Sequence, residues 1–64
     1  MCESRVVVAS DEEGEKLVLE DVVSIRPEAD GFLLVSLYGE RRQVRAQLRE
    51  IDLLNHRVVL QPIP

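Results

Sequence analysis

Aromatic residues are almost missing from this chain: Phe32 and Tyr38 are the two, and there is no Trp. A ligand site built on stacked bases or rings therefore has almost no platform. Basic charge is also scarce, since seven Arg and one Lys stand against twelve acidic residues for a net charge of −4. Nonspecific polyanion binding is disfavoured, because it depends on an excess of cations to neutralise phosphates. With one cysteine, neither an internal disulfide nor a CxxC redox pair can form. No apolar run exceeds four residues, far short of the about 20 needed to span a bilayer. No basic segment followed by an apolar one opens the chain, so a cytoplasmic protein is expected. Length sets a further bound. A domain of 64 residues removes only about 60% of its unfolded surface from water, which leaves room for one domain, residues 1–64, and for no deep interdomain cleft.

What is present is folded in character: 45% of residues are apolar and 31% charged, outside the range of disordered chains. Arg5-Val6-Val7-Val8-Ala9 reads as a strand ending in the polar turn Ser10-Asp11-Glu12-Glu13-Gly14. Lys16–Leu19 and Asp21–Arg26 read as two short strands, the second closed by Pro27. Glu28-Ala29-Asp30-Gly31 supplies a hairpin turn, with Asp30-Gly31 as its signal. Phe32–Leu37 is the next strand and Tyr38-Gly39-Glu40 the next turn. Residues 44–54 satisfy both periods: Val44, Ala46 and Leu48 alternate, whereas Val44, Leu48, Ile51 and Leu54 share a helical face. A strand to about Leu48 and another over Glu50–Leu53 fit better with a closing hairpin through Asn55-His56 into Arg57–Leu60. Gln61-Pro62-Ile63-Pro64 is expected to stay out of the ladder. Turn signals at this spacing predict an all-β fold, a small antiparallel barrel of six or seven short strands.

Val6–Val8, Phe32–Val35 and Val58–Leu60 are continuous apolar runs rather than alternations, so both faces of these strands call for cover. A second copy related by a two-fold axis is the economical source, and a homodimer is expected. Partly exposed edge valines are the alternative.

The cysteine is residue 2. If Met1 is removed, the α-amine and thiolate of Cys2 close a five-membered chelate ring on a metal. If Met1 stays, its amine, the Cys2 amide nitrogen and the Cys2 sulfur form two fused rings. The donors ordinarily hold protons up to about 8 and 8.5, so binding should release protons and strengthen as pH rises. A planar N,S set suits Ni(II), where Zn(II) prefers a tetrahedron. Two N-termini brought together in a dimer would supply N2S2. An incidental cysteine is the competing reading of this feature alone.

The opening Met1-Cys2-Glu3-Ser4, the segment Leu17–Val22, the turn Leu37-Tyr38-Gly39-Glu40 and the closing Glu50–Leu60 resemble, over nearly the whole chain, the CooT-like small nickel-binding proteins. This family is often labelled as predicted RNA-binding. The resemblance implies a homodimeric, mainly antiparallel SH3-like barrel that binds Ni(II) through Cys2 of both chains. It also implies a nickel carrier for maturation of a nickel enzyme such as carbon monoxide dehydrogenase.

The remaining candidate residues also suit simpler structural roles. His56, the sole imidazole, is an additional ligand candidate with Met1, although its place in a turn suits a solvated histidine. Arg41, Arg42, Arg45 and Arg49 form the one basic cluster and motivate the alternative of an RNA-binding barrel module. A strand would send Arg41 and Arg42 to opposite faces, and Glu40, Glu50 and Asp52 lie close by, so mixed ion pairs are favoured. Asp11-Glu12-Glu13 with Glu15 lacks the spaced ligands and glycine of a calcium loop and reads as a solvated hairpin tip. One thiol with no evident activating base, and no phosphate cradle or Ser-His-Asp set, point away from an enzyme. Nor is membrane association expected.

Overall fold

The computed structural model describes residues 3–64, and all of its regular structure is strand. Six strands run in chain order: β1 (Ser4–Ser10), β2 (Gly14–Glu28), β3 (Gly31–Ser36), β4 (Arg41–Val44), β5 (Ala46–Asp52) and β6 (Arg57–Pro62). They form one sheet in the order β4-β3-β2-β1-β6-β5. Its two edges, β4 and β5, are joined in sequence by the single residue Arg45, so the sheet has to curl until its edges meet at that corner. The result is a half-barrel of 32 × 26 × 15 Å. Among the described residues no helix is long and apolar enough to cross a membrane.

The expected all-β barrel is what forms, with specific corrections. Neighbouring strands are antiparallel except β1 and β6, which pair in parallel from Arg5↔Arg57 to Val8↔Leu60. The segments Lys16–Leu19 and Asp21–Arg26 are one strand, β2, and Pro27 lies inside it opposite Phe32. The feature that resembles a break is a bulge: Asp21 takes a left-handed φ of 55°, and the register slips on both sides of it. A bulge bends a strand without ending it. β2 thereby pairs with β1 through its first half and with β3 through its second.

The division between β4 and β5 falls at Arg45 rather than near Leu48, where closure of the barrel requires it. Gln61 and Pro62, expected to stand clear of the ladder, complete β6 opposite Gln47 and Ala46. Proline is tolerated there because it sits at the strand's end, where few ladder bonds remain to lose. At the β2–β3 hairpin the two-residue turn is Ala29-Asp30, with Gly31 already paired to Glu28. Gly31 is needed for space rather than for φ, because a β-carbon there would overlap the Val44 carbonyl oxygen.

The concave side holds the core: Val6, Leu19, Val22, Leu34, Ala46, Val58 and Leu60 are buried, with Phe32 and Val44 packed against them. Removing a buried leucine such as Leu34 or Leu60 should cost about 2–5 kcal/mol, a large share of the roughly 3–10 kcal/mol expected for this chain length. The continuous valine run of β1 is explained within one chain. Its alternate residues Val7 and Ala9 form a small buried cluster with Val59 on the convex side. Arg57, level with Arg5, reaches Glu15, level with Ala9, through paired contacts of 2.7 and 2.5 Å. That ion pair must pass over Val7, the residue between Arg5 and Ala9 on that face, where an aliphatic stem can lie along apolar surface.

Candidate metal centre

Met1 and Cys2 lie outside the described residues; what is described is the part of the barrel they adjoin. The strand leaving them, Glu3-Ser4-Arg5, borders a shallow cleft of about 250 Å³ lined also by Glu20, Asp21, Asn55 and His56. Three elements meet there. Ser4 pairs with Val22 just beyond the β2 bulge, and the Arg5 amide donates to the His56 carbonyl at 3.0 Å. The Leu37 amide, at the end of β3, donates to the Asp21 carbonyl at 2.7 Å.

Each turn around the cleft is held by its own short polar network. In the β5–β6 turn, Asp52 accepts from the Asn55 amide N–H at 3.1 Å and from the Asn55 side-chain amide at 2.8 Å. Those contacts, the side-chain one foremost, hold the Asp52 carboxyl below its ordinary range. His56 closes the turn in a left-handed conformation, φ 52°. In the β3–β4 turn the hydroxyl of buried Ser36 accepts from the amides of Tyr38 and Glu40, both at 3.1 Å. Gly39, at φ 85°, supplies the left-handed residue.

The cleft carries three carboxylates, Glu3, Glu20 and Asp21, against the single cation Arg5, a local field that favours the approach of a divalent ion. No three His, Cys, Asp or Glu side chains converge closely enough to hold a metal among the described residues. The donors they offer are hard carboxylates and one borderline imidazole, and the chain's two sulfur-bearing residues, Met1 and Cys2, lie outside the described residues. The fold brings His56 to the cleft shared with Glu3, a proximity created by the parallel β1–β6 pairing across about fifty residues of chain. The sequence reading gives no site role to Glu20, which falls between the two expected strands, or to Asp21, which opens the second. Glu-Asp amid an otherwise β-branched run was the one available signal.

The arginine cluster does not converge. Arg41 pairs with Val35 on the convex face, whereas Arg42 lies on the concave face with its guanidinium 3.4 Å from the Val18 carbonyl. Arg45 sits at the corner beside Gly31, and Arg49 lies on the far edge strand, β5.

Fold and cleft together define a small all-β half-barrel that opens, at the start of its first strand, on an acidic cleft with one histidine. The family profile described as "CO dehydrogenase accessory protein CooT" matches residues 1–61, and the chain belongs to that family. The crystal structure of a chain assigned as CooT from Carboxydothermus hydrogenoformans is similar, with a TM-score of 0.89 and 28% sequence identity. The match covers 98% of this chain and 100% of that one. No curated protein matches the sequence significantly.

Proposed function

We propose that this CooT-family protein is a nickel carrier acting in the cytoplasm in the maturation of carbon monoxide dehydrogenase. In this reading it binds one Ni(II) per homodimer through Cys2 of each chain. The observation that carries the reading is membership of a carbon monoxide dehydrogenase accessory family whose profile extends over the Met1-Cys2 start. The cargo is a borderline cation, and Cys2 is the only thiolate in the chain able to outcompete water for it at neutral pH. Met1, through its amine, and His56 are the auxiliary donors of this reading. Glu3, Glu20 and Asp21 raise the local concentration of the cation without coordinating it.

Support for the second copy comes from the loops beside the cleft. Leu37, Tyr38, Leu53 and Leu54 are large apolar side chains left 48%, 75%, 78% and 88% exposed, an arrangement that monomeric proteins seldom keep without a partner. Two copies meeting through this end would bring their Cys2 residues together.

Nickel titration of reduced protein, followed by a near-ultraviolet charge-transfer band and native mass spectrometry, tests the reading. The expected result is one ion per two chains, and loss of at least a hundredfold in affinity in Cys2→Ser with the barrel still folded. Full-strength binding by Cys2→Ser would refute the assignment. The samples must be reduced, because two apposed thiols are open to air oxidation to an intersubunit disulfide.

A further inference from the structure

The convex face of β2, β3 and β4 lies away from the N-terminal cleft and shares none of its residues. Two rows cross it: Ser24, Val35 and Arg41 in one, Arg26, Leu33 and Gln43 in the next. Leu33 and Val35 form a half-buried apolar floor, and the same residues, with Arg26 and Arg41 beside them, line a continuous shallow groove. The two guanidiniums stand on opposite sides of the floor. Among the described residues the ion pairs are Lys16–Glu13 and Arg57–Glu15, so neither Arg26 nor Arg41 has a carboxylate partner. Glu28, at the groove's end, accepts from the Gln43 side-chain amide at 3.3 Å. In a chain with four more acidic than basic residues, this is a local reversal of charge around apolar surface.

We infer that this groove is a docking surface for an acidic, extended segment of a partner protein, with Arg26 and Arg41 each taking one carboxylate and Leu33 and Val35 taking an apolar side chain between them. Arg26 and Arg41 lie two strands and two residues apart, a separation of roughly 12 Å from strand spacing and rise. An extended segment spans that distance with carboxylates three or four residues apart. Guanidinium favours carboxylate because its planar fork matches both oxygens.

A second copy does not dock face to face here, since arginine would meet arginine. RNA is the poorer occupant. Only two of the arginines share the face, Arg42 is turned to the concave side, and no aromatic ring is present on the groove for a base to stack on. This surface stands independently of the nickel reading, and the two can fail separately.

The experiment is an amide NMR titration of the full chain at low salt with a ten-residue peptide carrying two glutamates three residues apart around a leucine. The same peptide with both glutamates changed to glutamine and a ten-nucleotide single-stranded RNA serve as comparisons. The acidic peptide should shift the amides of Ser24–Arg26, Leu33–Val35 and Arg41–Gln43. Binding should weaken about fivefold in Arg26→Gln/Arg41→Gln, while Arg49→Gln and Cys2→Ser should bind as the unsubstituted protein does. Equal binding of the glutamine peptide, shifts confined to other surfaces, no response to any probe, or tighter binding of RNA at these residues would each overturn the inference. Should the double variant lose its folded spectrum, Arg41→Gln alone, expected to weaken binding about twofold, decides the same question.

Discussion

The two ends of this half-barrel are built on different terms. At the end away from residue 3 lie the Ser10–Gly14 hairpin, the prolines of the C-terminus and, through Ala46 and Arg45, the Gly31 corner. None of the large exposed hydrophobic side chains lies in its turns, and its left-handed position is the glycine Gly14, φ 71°, which adopts it without steric cost. The end beside residue 3 keeps two left-handed residues that are not glycine, Asp21 and His56, and leaves Leu53 and Leu54 almost wholly exposed. Left-handed non-glycine backbone and exposed apolar surface lie side by side there, in a chain with little stability to spare, and set this end apart from the other.

The largest effect is expected at the end away from residue 3. Gly31→Ala would drive a methyl group into the Val44 carbonyl, against backbone that cannot swing aside, and should cost about 2–3 kcal/mol. Urea denaturation reads this directly. An unchanged midpoint would mean that the β2–β3 hairpin can separate from the Val44–Ala46 corner, and that the curl of the sheet does not depend on their close approach. The opposite outcome is expected at the end beside residue 3. Leu53→Ser/Leu54→Ser should leave the barrel folded, as expected of exposed positions, yet convert the proposed dimer to monomer in sedimentation experiments. Leu17→Ser, on the convex face and 54% exposed, should leave the oligomeric state unchanged. A dimer surviving the double substitution would place the second copy elsewhere, with the exposed Leu48 and Ile51 of edge strand β5 as the next surface.

A smaller and more pointed contrast lies in the turns themselves. Gly14→Ala has open space around it but a left-handed φ, so it should lose about 1 kcal/mol. His56→Gly relieves the same kind of conformation and should gain up to about 1 kcal/mol. If it loses stability instead, the imidazole serves the fold, and a role toward the cation becomes unnecessary. If stability rises while nickel affinity falls, the strain is held for the site.

These contrasts also show what could be read without coordinates. The strands Arg5–Ala9, Phe32–Leu37, which ends one residue earlier at Ser36, and Arg57–Leu60 were legible because β-branched runs end in residues with turn chemistry. The unity of β2 was not, because a bulge at Asp21 uses the same residue types as a turn. Nothing local marks Arg45 as the corner, since barrel closure sets it. Cys2 was legible as a candidate from its position and from resemblance alone. The cleft beside Glu3 was not, because Asp21 and His56 are placed there by a bulge and a parallel pairing that no local pattern announces. The convex groove escaped for a similar reason: Arg26 and Arg41 are neighbours only through β3.

The smallest effect distinguishes the ends by their titration. Asp52, which orders the turn beside the cleft, has its carboxyl lowered from an ordinary 3.8, chiefly by the Asn55 side chain. Glu15, whose pair with Arg57 covers Val7, is lowered from 4.5, chiefly by that guanidinium. A carboxyl held lower in the folded state than in the unfolded one favours folding above its ordinary range. That contribution disappears as pH falls through the lowered value. Thermal midpoints should therefore hold steady down to about pH 4.5 and then decline, with Glu15→Gln flattening the upper part of the decline and Asp52→Asn the lower part. Because both carboxylates face solvent, added salt should shrink the Glu15 effect, which rests on a full charge pair, more than the Asp52 effect, which rests on neutral amide donors. Equal salt sensitivity at the two positions would show that the Asp52 turn is held by the charge of nearby Arg57 rather than by Asn55, and the ordering of the cleft would then depend on the same guanidinium that covers the convex core.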